Sequence, residues 1–287
     1  MPSTHNGTAP AGGWLGGDAG VAADPAAPRL FCFAHAGGGA SAYRPWRLSM
    51  APDVDVRPVV LPGRESRMRE LPYRRVEQVI DPLCEALEPH LDRPYALFGH
   101  SLGSILAYEV ARRFTGRAGR EPRLLIVSGR RAARLPARRR PYSALGDDAF
   151  LGAVGALGGT PPELLHEGQL LRLMLPTLRA DFELNETYRT LPGPRLRCPV
   201  AAYMGTADPE VDRAGLLAWG EETTAEFTMR VFAGGHFYLK DEADEVRAAL
   251  RQDLARVMRR DSAPEKRLRG NTRLGQENGE FPVSARQ

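Results

Sequence analysis

The sequence predicts an α/β fold: a mostly parallel central sheet flanked by helices, with one helical insertion. Short apolar runs alternate with longer segments of helical period, the pattern of strand–helix–strand units. Most of the runs are apolar throughout, as strands covered on both faces are. One long late stretch, by contrast, carries helical pattern alone.

Six runs read as strands: RLFCFAH (29–35), VDVRPVVL (54–61), YALFG (95–99), RLLIVSG (123–129), PVAAYMG (199–205) and FTMRVFAG (227–234). Between the second and third, RVEQVIDPLCEALEPHL sets Val76, Val79, Ile80, Leu83 and Leu87 on one helical face. Pro82 is expected to kink that segment or begin part of it. Leu102, Ile105, Leu106, Val110 and Phe114 line a helix directly after the third strand, and Val246, Leu250, Leu254 and Val257 line a final one. Residues 130–195 offer helical pieces around SALGDDAFLGAVGAL, PPELL and EGQLLRLMLPTLRADFELNETY, which read as a lid over the sheet.

Residues 1–27 are Gly, Ala and Pro-rich, 261–287 are polar, and neither has an apolar period. Both are expected to be disordered tails around one domain at 28–260. Hydrophobic residues make up 43% of the chain, enough for a sizeable core. No apolar run approaches the roughly 20 residues of a membrane helix. The N-terminus lacks a secretory signal, so a cytoplasmic protein is expected. Cys32, Cys84 and Cys198 lie in apolar patterns and read as buried small side chains. The net charge of +4 is almost all arginine, with Lys240 and Lys266 the lysines, and no nucleic-acid-binding signature accompanies it.

The chemistry begins at YALFGHSLGSIL. A buried strand ends at Gly99, Ser101 occupies the turn, and a helix starts at once. G-x-S-x-G in that context is a strained elbow that exposes a nucleophile; the plainer reading is a Gly-rich turn with an N-capping serine. A serine needs a base. Of the six histidines, His236 in VFAGGHFYL follows the last strand on a flexible glycine pair and is the best candidate. His5 lies in the tail, His90 near an exposed helix end and His166 in the insertion, while His100 is expected to point away from Ser101. The orienting acid is Asp208, just past a strand end in YMGTADPEV; its rival Asp212 reads as the start of a helix. Serine, acid, histidine is the order of α/β-hydrolases. Oxyanion donors are expected from the N–H groups of Leu102 and Ala36, the latter in HAGGGAS. That glycine run lacks the G-x-G-x-x-G spacing of a dinucleotide site, and no acidic residue ends the next strand.

FAHAGGGASAYRPW, VRPVVLPGRESRM, FGHSLGSILAYEVARR, PTLRADFELNETYR, YMGTADPEV and GGHFYL together resemble the stand-alone type II thioesterases of polyketide and nonribosomal peptide biosynthesis. The resemblance spans the core, 28 to about 258, and one departure is Ala34, where family members often carry proline. It implies hydrolysis of acyl groups from the phosphopantetheine arm of acyl or peptidyl carrier proteins, with no metal or other cofactor. Oligomeric state is open, with a monomer the default expectation. Asp181 and Phe182 would then position the lid helix over the substrate entrance, although a helix cap or a surface salt bridge accounts equally for Asp181. Arg130, Arg131, Arg134 and Arg138, with Arg139 and Arg140, would steer acidic carrier proteins; a solvated arginine-rich loop is the plainer reading. The competing functions are a serine esterase acting on small free esters or acyl-CoA, and a non-catalytic binding protein on the same fold.

Overall fold

The computed structural model describes residues 13–16, 23–136, 140–158 and 168–262. Six strands, β1 (Arg29–Phe33), β2 (Asp55–Pro58), β3 (Tyr95–His100), β4 (Leu124–Ser128), β5 (Val200–Gly205) and β6 (Phe227–Phe232), form one sheet in the order β2-β1-β3-β4-β5-β6. Every pairing is parallel, so all six strands end on the same edge. The connecting helices are α1 (Arg44–Met50), α2 (Val76–Leu87) and α3 (Leu102–Phe114), then α4 (Asp147–Ala156) and α5 (Gly168–Thr187) in the insertion, and finally α6 (Arg213–Leu217), α7 (Tyr238–Asp241) and α8 (Ala243–Ser262).

Successive strand side chains alternate between two cores. Phe31, Phe33, Leu97, Leu125 and Val127 meet the apolar faces of α2 and α3. Leu30, Cys32, Ala96, Phe98 and Ile126 meet α1 and α8 on the other side. Each predicted helical face is buried where expected, and α2 runs unbroken through Pro82. The three cysteines are buried and unpaired with one another. Among the described residues no helix is long and apolar enough to cross a membrane.

Of residues 1–27, the described stretch 13–16 lies against the core. Trp14 is buried at 3% exposure. Leu15 bridges Val59 in antiparallel fashion, and the Arg67 guanidinium lies 4.1 Å from the Trp14 ring centroid. Residues 14–16 thus pair with the chain at the end of β2 and just past it, the Gly16 N–H donating to the Pro58 carbonyl and the Val60 N–H to that of Trp14, both at 2.8 Å.

Candidate active site

The turn between β3 and α3 holds Ser101 at φ 54° and ψ −115°, a strained conformation for a residue with a Cβ. The strain is held by close packing. A Cβ on Gly103 would lie 2.0 Å from the Phe33 carbonyl oxygen, so glycine is needed for α3 to sit against the end of β1. The Ser101 N–H donates to the Ser128 carbonyl at 2.8 Å, fixing the turn to β4. Ser101 thus stands just before α3, whose first residue is Leu102, where free amides and the helix dipole favour negative charge.

His236 and Asp208 come from the loops after β6 and β5. Both are buried, and the imidazole Nδ1 lies 2.9 and 3.0 Å from the two carboxylate oxygens. Asp208 also accepts the Glu210 N–H at 2.9 Å. This fixes the ring tautomer with the proton on Nδ1 and leaves Nε2 as the basic nitrogen. Asp212 lies apart from this pair: it caps α6, accepting the Gly215 N–H at 2.8 Å.

Ser101 and His236 line one cavity of about 290 Å³, together with Ala36, Phe182, Arg130 and Arg131. No hydrogen bond joins Ser101 to the imidazole among the described residues; such contacts tighten when substrate binds. Leu102 is fully buried beneath the turn. Phe182 belongs to a small separate core, packed edge-on to Phe150 with ring centroids 5.3 Å apart.

Asp181 differs from both of its expected alternatives. It is neither a helix cap nor part of a surface pair: it is 1% exposed and forms a bidentate ion pair with Arg64. The arginines also have local acceptors. Arg130 donates to Asn185, Arg131 to the Pro136 carbonyl, and Arg134 pairs with Glu221 at 2.5 Å. Arg140 is exposed. Arg138, Arg139, His5 and His166 lie outside the described residues.

Two further histidines surround the base, neither assigned a role from sequence. The His100 ring lies 5.0 Å from that of His236, and its Nδ1 contacts Ser128 Oγ at 2.9 Å, which in turn contacts the Tyr238 hydroxyl. Desolvation, with His236, His35 and Lys240 nearby, holds the His100 pKa well below the ordinary histidine value. Desolvation, with the charges of Lys240, His236 and Arg64, lowers His35 to about 3. The two imidazoles flanking His236 are therefore uncharged at neutral pH.

This combination, a strained serine before a helix and a carboxylate-held imidazole at the ends of parallel strands, defines a serine hydrolase of the α/β-hydrolase type. A family model described as the thioesterase domain matches residues 28–254, and the chain belongs to that family. The gramicidin S biosynthesis protein GrsT of Aneurinibacillus migulanus is 35% identical over 76% of this chain and 85% of its own. The thioesterase PikA5 of Streptomyces venezuelae is 40% identical over 77% of this chain and 78% of its own. Among solved structures, the type II thioesterase BorB from the borrelidin biosynthetic cluster superposes with a TM-score of 0.76 at 37% identity, covering 87% of this chain and 99% of that one. The protein is a thioesterase, similar to type II thioesterases of polyketide and nonribosomal peptide pathways.

Proposed function

We propose that this thioesterase removes acyl groups from the phosphopantetheine arm of acyl or peptidyl carrier proteins, clearing stalled or misprimed synthases. The observation that carries the reading is the cavity shared by strained Ser101, His236 and the Ala36 loop, in a chain so similar to type II thioesterases.

Ser101 Oγ attacks the thioester carbonyl while His236 Nε2 takes its proton, and Asp208 holds the imidazolium that forms. The Ala36 and Leu102 N–H groups receive the tetrahedral oxyanion. Collapse expels the phosphopantetheine thiol, protonated by His236. Water, deprotonated by the same imidazole, then hydrolyses the acyl-serine. Phe182 roofs the acyl chamber, and the Arg130, Arg131 and Arg134 region, with Arg140 and Arg138, attracts the acidic carrier protein. Reversing charge at Arg134 and Arg140 is expected to lower kcat/KM for acyl-carrier substrates and flatten its salt dependence.

The test of the substrate class is hydrolysis of acyl-carrier thioesters against matched free oxyesters and acyl-CoA. Higher kcat/KM on the carrier-bound thioester supports the proposal. A strong preference for oxyesters makes the protein a small-ester esterase instead.

A further inference from the structure

The HAGGGAS loop that carries Ala36 has three successive glycines and therefore no side chains with which to hold its own shape. Its conformation is set from outside. Asp181 Oδ2 accepts the Gly37 N–H at 2.7 Å and the Arg64 Nη1 at 2.7 Å, while Oδ1 accepts Arg64 Nη2 at 2.7 Å. The same Nη1 donates to the Gly38 carbonyl at 3.1 Å. The neighbouring Glu65, at φ 46°, accepts the Ala40 and Ser41 N–H groups at 3.0 and 2.9 Å. One turn earlier on α5, Thr177 Oγ1 donates to the Gly63 carbonyl at 2.8 Å. Insertion helix, 62–65 loop and glycine loop are thus joined by one polar network, buried at the Arg64–Asp181 pair and exposed at Glu65.

A buried ion pair is weak support for stability, because desolvating both charges offsets most of their attraction. This one does something an apolar pair could not: its carboxylate holds the amide next to Ala36. We infer that Asp181, oriented by Arg64, is a positioning residue for the oxyanion loop, so that stabilisation of the tetrahedral state at Ser101 depends on α5 being seated. The inference rests on the reading of Ala36 as an oxyanion donor. Displacement of α5 removes the acceptor from Gly37 and loosens the loop, so helix position and reactivity are coupled.

A fluorophosphonate probe tests this without a carrier protein. Ser101 Oγ forms a bond to phosphorus, the P–F bond breaks, fluoride leaves with the electron pair, and the serine proton passes to His236. The phosphoryl oxygen occupies the oxyanion position throughout. In Arg64→Met/Asp181→Leu, which replaces the pair by apolar side chains, the labelling rate is expected to fall by about 10- to 100-fold with the melting temperature retained. Asp181→Asn, close in shape, is expected to show a smaller loss, about 3- to 10-fold, and serves if the double variant does not fold. A labelling rate within about twofold of wild type in a folded variant would overturn the inference. Failure of the carrier-substrate reading looks different: wild type labels rapidly and the double variant slowly, yet wild type leaves acyl-carrier thioesters intact.

Discussion

Gly205 and Gly235 meet backbone to backbone: a Cβ on Gly205 would lie 2.3 Å from the Gly235 carbonyl oxygen and 2.5 Å from that of Gly234. The end of β5 therefore presses directly on the loop that carries His236. Because Asp208 follows β5 within the same turn, this contact brings the carboxylate to the imidazole. Gly205→Ala must push the two backbones apart. A displacement near 1 Å at reacting groups costs on the order of 10²-fold, so kcat is expected to fall by about 10- to 100-fold. Thioester kinetics at saturating substrate read the change; an unchanged kcat would show that the loops adjust freely.

Two aspartates four residues apart hold different groups, Asp208 the His236 imidazole and Asp212 the Gly215 N–H at a helix start. Asp208→Asn leaves His236 without its carboxylate and favours the wrong tautomer, which is expected to lower kcat by about 10³- to 10⁴-fold. Asp212→Ala removes a helix cap, with an expected stability loss of about 1 kcal/mol and little change in kcat. Kinetics and urea unfolding of both variants check the assignment, and equal losses of kcat would contradict it.

The neutral histidines make the fold sensitive to acid. His100 is uncharged when folded, its pKa pushed well below 6.5 chiefly by desolvation, whereas in the unfolded chain it takes up a proton near that pH. The unfolded state then binds more protons, so this contribution to stability is complete above about pH 6.5 and is lost as pH falls. His35 acts in the same direction down to about 3. His100→Asn, which keeps a polar group toward Ser128, is expected to flatten the decline by up to about 1.4 kcal/mol per pH unit. Urea midpoints between about pH 7 and pH 5 measure it. An unchanged slope would mean that His100 is charged in the folded protein.

The sheet was legible because its strands are short, apolar and separated by clear helical faces; Phe31 and Leu97 declare a core by composition alone. Ser101, Asp208 and His236 were legible because each follows a strand end, and parallel strands deliver those ends to one edge. Trp14 was not, since one aromatic residue in a Gly-rich stretch has no period, and its partners Val60 and Arg67 lie far along the chain. The Arg64–Asp181 pair was hidden for the same reason: a long-range contact between two charged residues leaves no local pattern. The one available signal was the charged pair Arg64–Glu65 following Pro62–Gly63, where a turn brings two ionisable groups back to the strand ends.

The central claim is that Ser101 is the nucleophile of a thioester hydrolase, and the most direct measurement is kcat/KM of Ser101→Ala on an acyl-carrier thioester. A loss of at least about 10³-fold, with the melting temperature unchanged, is expected. Hydrolysis at the wild-type rate by the folded variant would contradict it.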